Sequence, residues 1–509
     1  MEHLPGEYLH AFHGGLRLKH HKRLSCDEPA QTAPLPEQLV LPLRQHQGSP
    51  ALPQVAIGDH VRRGDCLATA SDSGSIALHA PTSGVISDIG DYPTVRNYVS
   101  GEPCIVLRCD GEDRAAEPRP LADWQQCPAE LIVQHLQAMG LSGLGGALYP
   151  SHRKLGPQHT IDTVILNGAE CEPYLSCDEA LMLSQPAAVI GGAAVLKRAA
   201  SAQRVVIALE DRMDEVRKAL QQQVSEADSE WLRIVQVPTY YPEGGERQLI
   251  QVLTGQEVPS AGLPQDLGLV CFNVATAAAA CHAVVEGRPL TERMVTVTGH
   301  DLQRPGNWLT RIGTPLDDLL QLAGGAPAST RRLIMGGPLM GVALPHANLA
   351  VDKGTNCLLL LREQDVADPQ PQMPCINCGY CVKVCPAQLL PQELHWAIRA
   401  EDYQRASDNF GLLDCIECGC CDQVCPSHIP LVEEYRLGKQ MLWQQRRQQQ
   451  QAEHARQRYQ ARGERLQRRD AERSARREAR KAALRGPADA QARLARALAR
   501  KRQQQEDET

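Results

Sequence analysis

The hydrophobic pattern of this 509-residue chain changes along its length. From about residue 36 to 110, turn residues such as Gly58-Asp59 and Gly64-Asp65 separate short apolar runs, which predicts short β-strands. From about residue 128 to 298, β-branched runs alternate with segments of helical period. This alternation predicts a mainly parallel sheet covered by helices, with ligands bound beyond the carboxyl ends of its strands.

Five apolar runs of the second region are candidate strands. They are Asp162–Asn167, Arg204–Leu209, Trp231–Val237, Gly268–Asn273 and Met294–Gly299. Segments of helical period lie between most of them, at residues 178–200, 214–224 and 246–255.

The other regions have distinct compositions. Residues 286–360 combine short strands with glycines, as in a compact module of β-grasp size. After Lys439, Gln, Arg and Ala dominate, which predicts a long exposed helix or a disordered segment. Near the N-terminus, the patch "FHGGLRLKHHK" (Phe12–Lys22) is expected to be a solvated basic turn.

The sequence thus predicts a multidomain α/β protein. Its expected parts are an N-terminal segment (1–35), a β domain (36–115), an α/β domain (116–285), a β-grasp module (286–360), a cysteine-rich domain (361–435) and a basic tail (436–509).

Charge and hydropathy narrow the class of protein. Residues 441–509 hold 19 Lys/Arg and 9 Asp/Glu, which gives a net charge of +10. Because the whole chain has a net charge of −7, residues 1–440 have a net charge of −17. An acidic body disfavours nucleic-acid binding. The apolar runs are shorter than the roughly 20 residues of a membrane-spanning helix, so we expect no such helix. The N-terminus shows no secretory signal, so we expect none.

Nine of the 19 cysteines lie between Cys375 and Cys425, in two copies of the pattern C-x2-C-x2-C-x3-C-P. In two-cluster ferredoxins, three closely spaced cysteines hold one [4Fe–4S] cube, and the cysteine before proline reaches the other cube. The spacing therefore predicts two clusters with crossed ligands. The first set is Cys375, Cys378, Cys381 and Cys425, and the second is Cys415, Cys418, Cys421 and Cys385.

Zinc is the alternative, because C-x2-C pairs also bind zinc, but a repeated 2-2-3 spacing that ends in proline favours iron–sulfur. Cys420 lies outside the pattern, as a thiol beside the cluster or a competitor of Cys421. Paired one-electron carriers usually need a partner that splits electron pairs, and flavin is the common choice.

A glycine-rich stretch, "MGLSGLGGALYPSHRKL" (Met139–Leu155), could place backbone N–H groups and a lysine around a phosphate. Its GxxGxGG pattern follows a helical run, which disfavours an ordinary dinucleotide fingerprint, and a plain tight-turn loop is the alternative. Three stretches at strand ends, 166–182, 240–249 and 272–284, add polar groups for a ligand. Otherwise Asn167, Asn273 and Thr276 would simply cap helices.

Several motifs together resemble the C subunit of the Rnf electron-transport complex. They are "LNGAECEPYLSCD", "YPEGGERQLIQVLTGQEVPS", "RPGNW", "IMGGPLMG" and the two cysteine phrases. The resemblance covers about residues 10–435 and leaves out the tail. Residues 36–110 also resemble the barrel-sandwich fold of biotinyl and lipoyl carriers, but their hairpin "TASDSGSIAL" lacks the attachment lysine.

The middle domain is similar to the flavin- and NADH-binding subunit of respiratory complex I. This implies a Rossmann-like flavin domain with non-covalent FMN and NAD(H) as substrate, followed by an SLBB-type β-grasp module. The implied ligand residues are Gly143, Gly145, Gly146, Lys154, Asn167, Glu170, Glu172, Gly244, Glu246, Asn273 and Thr276.

This sequence departs from that pattern at three places. Ala169 and Gly245 stand where the complex I family has acidic residues, and Leu148-Tyr149 replaces its Gly-Phe. These changes leave the FMN prediction in place and weaken the prediction for NADH.

The resemblance also implies a peripheral subunit on the cytoplasmic face of the bacterial inner membrane. Its partners would be the other Rnf subunits and ferredoxin or a ferredoxin-like subunit. The complex would couple electron transfer to sodium or proton transport, and no side chain need act as acid or base. The alternatives are a soluble flavin and iron–sulfur cobalamin reductase and a non-enzymatic iron–sulfur scaffold or redox sensor.

Overall fold

The structure, a computed structural model, describes residues 5–156, 159–366, 368, 370–484 and 487–506. The chain forms two units, Met1–Arg436 and Leu437–Thr509. In the first unit, a short helix, α1 (Arg23–Cys26), and a short strand, β1 (Gln31–Thr32), precede the β domain.

The β domain consists of two small sheets. Its strands are β2 (Gln38–Pro42), β3 (Leu52–Pro53), β4 (His60–Val61), β5 (Cys66–Thr69), β6 (Leu78–His79), β7 (Gly84–Tyr92) and β8 (Glu102–Cys109). One sheet has the order β2-β8-β7-β4 and the other β3-β5-β6. Both predicted Gly-Asp turns have a glycine with positive φ, 96° at Gly58 and 92° at Gly64, as tight turns require.

The α/β domain follows. Its elements are α2 (Ala129–Ala138), β9 (Thr163–Gly168), α3 (Cys177–Ser184), α4 (Pro186–Ala199), β10 (Arg204–Glu210), α5 (Asp214–Gln221), β11 (Leu232–Val237), α6 (Glu246–Thr254), β12 (Leu269–Asn273) and α7 (Val274–Val284). The four strands are parallel in the order β11-β10-β9-β12. The polar ends of β9 and β12 therefore lie side by side.

Two details of this region differ from the sequence prediction. The helical segment 178–200 is two helices, because Gln185 leaves helical geometry and Pro186 begins α4, a position where its missing N–H costs nothing. The fifth candidate strand, at Met294–Gly299, does not join the parallel sheet.

That strand belongs to the next module. The module comprises β13 (Glu292–Thr298), β14 (Gly306–Arg311), α8 (Leu316–Leu322), β15 (Thr330–Met335), β16 (Val342–Leu344) and β17 (Cys357–Arg362). Its mixed sheet has the order β1-β14-β13-β17-β15-β16, so β13 lies at the centre between β14 and β17. The N-terminal β1 completes one edge.

The cysteine-rich region forms short helices. They are α9 (Tyr380–Val384), α10 (Pro391–Arg399), α11 (Tyr403–Asp408) and α12 (Cys420–Gln423). In the first unit, single 3₁₀ turns span Ser151–Lys154, Asp228–Glu230, Pro264–Leu267, Glu363–Asp365 and Leu412–Asp414.

Two long helices, α13 (Leu431–Leu484) and α14 (Pro487–Glu506), contain the basic C-terminal sequence. Nearly all described side chains after residue 450 are exposed. Among the described residues, no single helix is long and apolar enough to span a membrane. The pair α3 and α4, bent by 96°, has the required length and composition only when taken together.

Candidate functional site

The eight predicted cluster ligands surround two separate cavities. Cys375, Cys378 and Cys381 line the first together with Cys425, which comes from the second phrase. The four thiols thus meet in the crossed combination that the ferredoxin spacing predicts.

The second cavity has the mirror arrangement. Cys415, Cys418 and Cys421 line it with Cys385 of the first phrase. Burial raises the pKa of the Cys421 thiol, so a thiolate there needs a bound cation as counter-charge. Two closed groups of four thiols fit two [4Fe–4S] clusters, and neither group is complete within one phrase.

Both phrases fold alike because the same positions take left-handed backbone conformations. Gly379 (φ 74°) and Gly419 (φ 77°) precede short helices, and Asn377 (φ 54°) and Glu417 (φ 58°) precede the second cysteine. These turns reverse the chain after each pair of cysteines and direct the next thiol back toward the same cavity.

Cys420 has a definite place in the structure. Its side chain is fully buried, and it lines the second cavity beside Cys418. The Cys420 thiol donates to the Cys418 sulfur, and this hydrogen bond lowers the pKa of Cys418 and raises that of Cys420. Cys420 therefore acts on a predicted ligand through a hydrogen bond to its sulfur.

The glycine-rich stretch forms a closed loop after α2. Ser142 and Pro150 form an isolated bridge, and the Gly143 amide donates to the Tyr149 carbonyl at 2.8 Å. The Leu144 amide donates to the Thr276 hydroxyl at 2.9 Å, which fastens the loop to α7. Thr276 thus orients the glycine loop and does not cap the helix.

The backbone of this loop is open on one side. A Cβ atom at Gly145 would lie 3.2 Å from the Cβ of Asn273, whereas Gly146, with φ at 93°, has no atom within 4 Å of its Cβ position. Exposed backbone amides, with a lysine later in the same stretch, are the groups that suit a flavin phosphate. These residues fit FMN.

Lys154 lies on the 3₁₀ turn after the loop. Its ammonium donates to Glu246 Oε2 at 2.5 Å and to the Cys271 carbonyl at 2.9 Å. Burial alone would lower the pKa of Lys154, but Glu246 and its other partners together raise it. The Lys154 amine is therefore protonated at neutral pH.

The two strand-end asparagines are held by different partners. Asn167 donates to the Gly244 carbonyl at 2.8 Å and thereby joins β9 to the loop before α6. Asn273 caps α7 by accepting from the Ala275 amide at 2.8 Å, and its side-chain amide donates to Asp178 at 2.6 Å. Sequence reasoning assigned no role to Asp178, although its position in the first turn of a helix after β9 was a usable signal.

The two glutamates of the "AECEP" stretch are held by partners from other segments of the chain. Glu170 accepts from the Asp178 amide at 3.2 Å and lies 3.8 Å from the Lys22 ammonium. Glu172 accepts from the backbone amides of Leu339 and Met340, and burial raises its pKa to about 7. Their carboxylates thus contact the N-terminal segment and the β-grasp module.

Lys22 contradicts the expectation of a solvated basic turn. Its side chain is 3% exposed, and its ammonium donates to the carbonyls of Glu170 and Leu175. The carboxylate of Glu170 supplies the opposite charge. Lys22 is therefore buried because the loop after β9 offers it several acceptors. The residues next to Lys22 in the sequence could not indicate these distant partners.

The N-terminal segment and the α6 loop also contact the second cysteine cavity. The Tyr241 hydroxyl donates to the Cys418 carbonyl at 2.6 Å, and the Gly15 amide donates to the Val384 carbonyl at 2.9 Å. The loop that carries Gly244 and Glu246 is thus packed directly against the cage formed by Cys385, Cys415, Cys418 and Cys421.

Family models match four successive regions of the chain. They describe an RnfC barrel-sandwich hybrid domain (residues 10–112), a Nuo51 FMN-binding domain (136–282), an SLBB domain (294–343) and a 4Fe–4S dicluster domain (374–429). The predicted multidomain layout, flavin domain and two-cluster domain are confirmed at this level.

Similar proteins show which family the chain belongs to. A Yersinia pestis protein, named as the C subunit of an ion-translocating oxidoreductase complex, is 43% identical over 429 residues, 84% of this chain and 68% of the relative. The chain belongs to this RnfC family. Relatives of the same name from Pseudomonas aeruginosa and Erwinia tasmaniensis are 44% and 41% identical over 91% and 90% of the chain. The chain spans 60% and 57% of the length of these two proteins.

Among solved structures, an NAD+-reducing [NiFe]-hydrogenase resembles this RnfC-family chain with a TM-score of 0.44 and 20% identity. The match covers 62% of the chain and 63% of the hydrogenase chain.

Proposed function

We propose that this chain is a peripheral electron-transfer subunit that connects NAD(H), FMN and two [4Fe–4S] clusters within an ion-translocating membrane complex. The observation that carries the proposal is the direct packing of the α6 loop on the second cysteine cage, through Tyr241 and the Cys418 carbonyl. This packing supports the proposal, because electrons would pass over a short distance between a Rossmann-like flavin cleft and the second cluster.

The proposed flavin cleft combines residues from several elements. Gly143, Gly145, Gly146 and Lys154 would hold the phosphate and ribityl chain, and Asn167, Gly244, Glu246, Asn273 and Thr276 would fix the surrounding loops. When bound, FMN would exchange electron pairs with the nicotinamide and single electrons with the clusters. The protein's task is to bind and orient these groups, and no side chain need transfer a proton.

The two cages differ in exposure, which suggests their order. In the second cage, Cys418 and Cys421 are buried beside the flavin domain, whereas Cys378 of the first cage is exposed. We propose that the second cage exchanges electrons with the flavin and that the first delivers them to or receives them from a partner. That partner would be ferredoxin or another subunit on the cytoplasmic face of the membrane.

The NAD(H) site departs from the complex I pattern. Gly245 is the N-cap residue of α6, and a Cβ atom there would lie 2.6 Å from Gln248 Oε1, so an acidic side chain would not fit without a shift. Ala169 also lacks a carboxylate. The proposal therefore assigns nicotinamide binding to the remaining cleft, with Glu170 and Glu172 supporting its walls.

The test uses the full chain purified without oxygen. We expect about eight irons and one FMN per chain, with bleaching of the flavin band on addition of NADH. Zinc in place of iron, or fewer than about four irons, would refute the two-cluster assignment.

A glycine pair tests the cleft itself. Gly145→Ala adds a methyl group 3.2 Å from the Asn273 Cβ, so the loop must shift, and we expect FMN to dissociate about tenfold more readily. Gly156→Ala is the matched control, because no atom lies within 4 Å of its Cβ position. Equal FMN affinity in the two variants would remove the glycine loop from the proposed site.

A further inference from the structure

A cavity of about 450 Å³, distinct from the two cysteine-lined cavities, lies between the β domain, α7 and the β-grasp module. This volume falls within the range of small-molecule sites, which is roughly 300–1,000 Å³. None of the eleven residues proposed for the flavin cleft lines it, although Leu144 and Asp178 reach both places. The cavity is thus a separate feature of the first unit.

Its walls are largely apolar. Ala275, Ala278 and Ala279 present one face of α7, and Leu181 and Leu309 lie across from it. The small side chains leave space that leucines at the same positions would fill. Such a wall suits an aromatic or aliphatic body.

Two arginines at the cavity carry unpaired charge. Arg293 is 4% exposed and donates to the carbonyls of Met294 and Lys353. Arg119 lies in the exposed segment at the mouth. Within the described part of the chain, no carboxylate lies within 4.0 Å of either guanidinium, whereas Arg311, also in the wall, pairs with Asp113 at 3.0 Å.

His79 adds an unsatisfied polar group to the same wall. Its side chain is 7% exposed, its ring forms no hydrogen bond with described residues, and its Nδ1 is buried. Burial, with contributions from Lys353 and Arg119, lowers the pKa of His79 to about 3, so the ring is neutral. A buried polar group without a partner is costly, and a ligand could supply the missing hydrogen bond.

Three carboxylates also line the cavity. Glu292 pairs with Arg311, and Asp178 accepts from Asn273 while burial raises its pKa. Glu117 lies at the exposed mouth. Glu292 is thus engaged by Arg311, and Asp178 by Asn273 and by the nearby charge of Arg293. Arg119 and Arg293 are the lining arginines for which the described residues supply no carboxylate within 4.0 Å.

We propose that this cavity binds a small organic anion, with its apolar body against α7 and its carboxylate, sulfonate or phosphate group on the unpaired arginines. Guanidinium groups suit such oxyanions because their planar N–H groups can donate in pairs. The proposal does not rest on the flavin assignment, although Leu144 and Asp178 contact residues of both sites.

The test compares two dyes of one shape on the anaerobic holoprotein by isothermal titration calorimetry. The probe 1-anilinonaphthalene-8-sulfonate is an arene with one anionic group, and N-phenyl-1-naphthylamine is the same arene without it. We expect one saturable sulfonate site per chain and at least about tenfold weaker binding of the neutral dye. Equal affinity for both dyes, or no saturable binding, would overturn the proposal.

Variants locate the site. Ala279→Phe fills the cavity from a half-buried position of α7 and should abolish binding, whereas Ala188→Phe, at a half-buried position of α4 outside the cavity, should not. Arg119→Gln should reduce the preference for the anionic dye about tenfold. If Ala279→Phe loses its iron or flavin, Ala275→Leu replaces it. Unchanged binding in the cavity variants would contradict the assignment.

Discussion

Lys353 offers a prediction whose size follows from the structure. Its side chain is 1% exposed, and its ammonium donates to the Gly140 carbonyl at 2.7 Å and to the Ala77 carbonyl at 3.4 Å. It therefore joins the β-grasp module to the β domain and to the start of the glycine loop. Burial lowers the pKa of Lys353 from 10.5 to about 7, and Asp352 opposes this shift only in part.

The lowered pKa makes stability depend on pH. Between pH 7 and 10.5 the unfolded chain binds a proton at this lysine that the folded chain does not, so the free energy of unfolding rises with pH. The slope is on the order of 1.4 kcal/mol per pH unit. Below pH 7 the full penalty, on the order of 5 kcal/mol, is present, and it disappears as pH approaches 10.5.

Lys353→Met removes the titrating group and keeps much of its volume. We expect the stability of the wild type relative to this variant to rise by about 3 kcal/mol over two pH units above neutrality. Urea unfolding followed by far-ultraviolet circular dichroism, at a series of pH values, measures this difference. Lys218→Met, at an exposed lysine of α5, is the control and should show a profile parallel to the wild type.

Parallel pH profiles for the wild type and Lys353→Met would refute the reasoning. The buried amine would then have the same pKa in the folded and unfolded chains. FMN content supplies a second measurement, because Lys353 holds the carbonyl from which the glycine loop begins. We expect the variant to retain less flavin than the Lys218→Met control.

Four further predictions concern single residues. Cys385→Ser should remove about half of the iron. Cys420→Ala should retain about eight irons and lower the reduction potential of one cluster, because alanine removes the hydrogen bond to the Cys418 sulfur. Iron assay and redox titration measure the two effects. Glu172→Gln should gain stability relative to the wild type as pH rises from about 4.5 to 7, since burial raises the pKa of this carboxyl, and parallel urea profiles would contradict this. Asp178→Ala should weaken FMN binding about tenfold, because it removes the acceptor that holds the Asn273 amide. Asp178→Asn keeps an acceptor and should lose less FMN affinity. Equal FMN retention by both variants would exclude this positioning role.

Features that depend on neighbours in sequence could be predicted directly. The four strands of the parallel sheet begin and end within two residues of the predicted runs, because apolar β-branched periodicity is a local property. The cysteine spacing likewise implied two crossed groups of thiols, and the structure brings those thiols around two cavities. The residues of the proposed flavin cleft came from family resemblance, since a glycine-rich loop alone is a weak signal.

Features that depend on distant partners could not be predicted. Met294–Gly299 has the pattern of any buried strand, and only its pairing with β14 and β17 places it in the β-grasp sheet. Glu172 follows β9 in the sequence, yet its carboxylate accepts from the backbone amides of Leu339 and Met340, which lie more than 160 residues further along the chain.

The sequence by itself predicted the order of the domains and the crossed cysteine groups, and its motifs indicated the family. The tertiary structure decided which charged side chains are buried and which loops meet. Lys22 and Lys353 look like surface residues in the sequence, but each is enclosed where carbonyls from distant segments converge on its amine. The physical reason is that burying a charge depends on partners brought together by folding, whereas spacing and periodicity are fixed by covalent order.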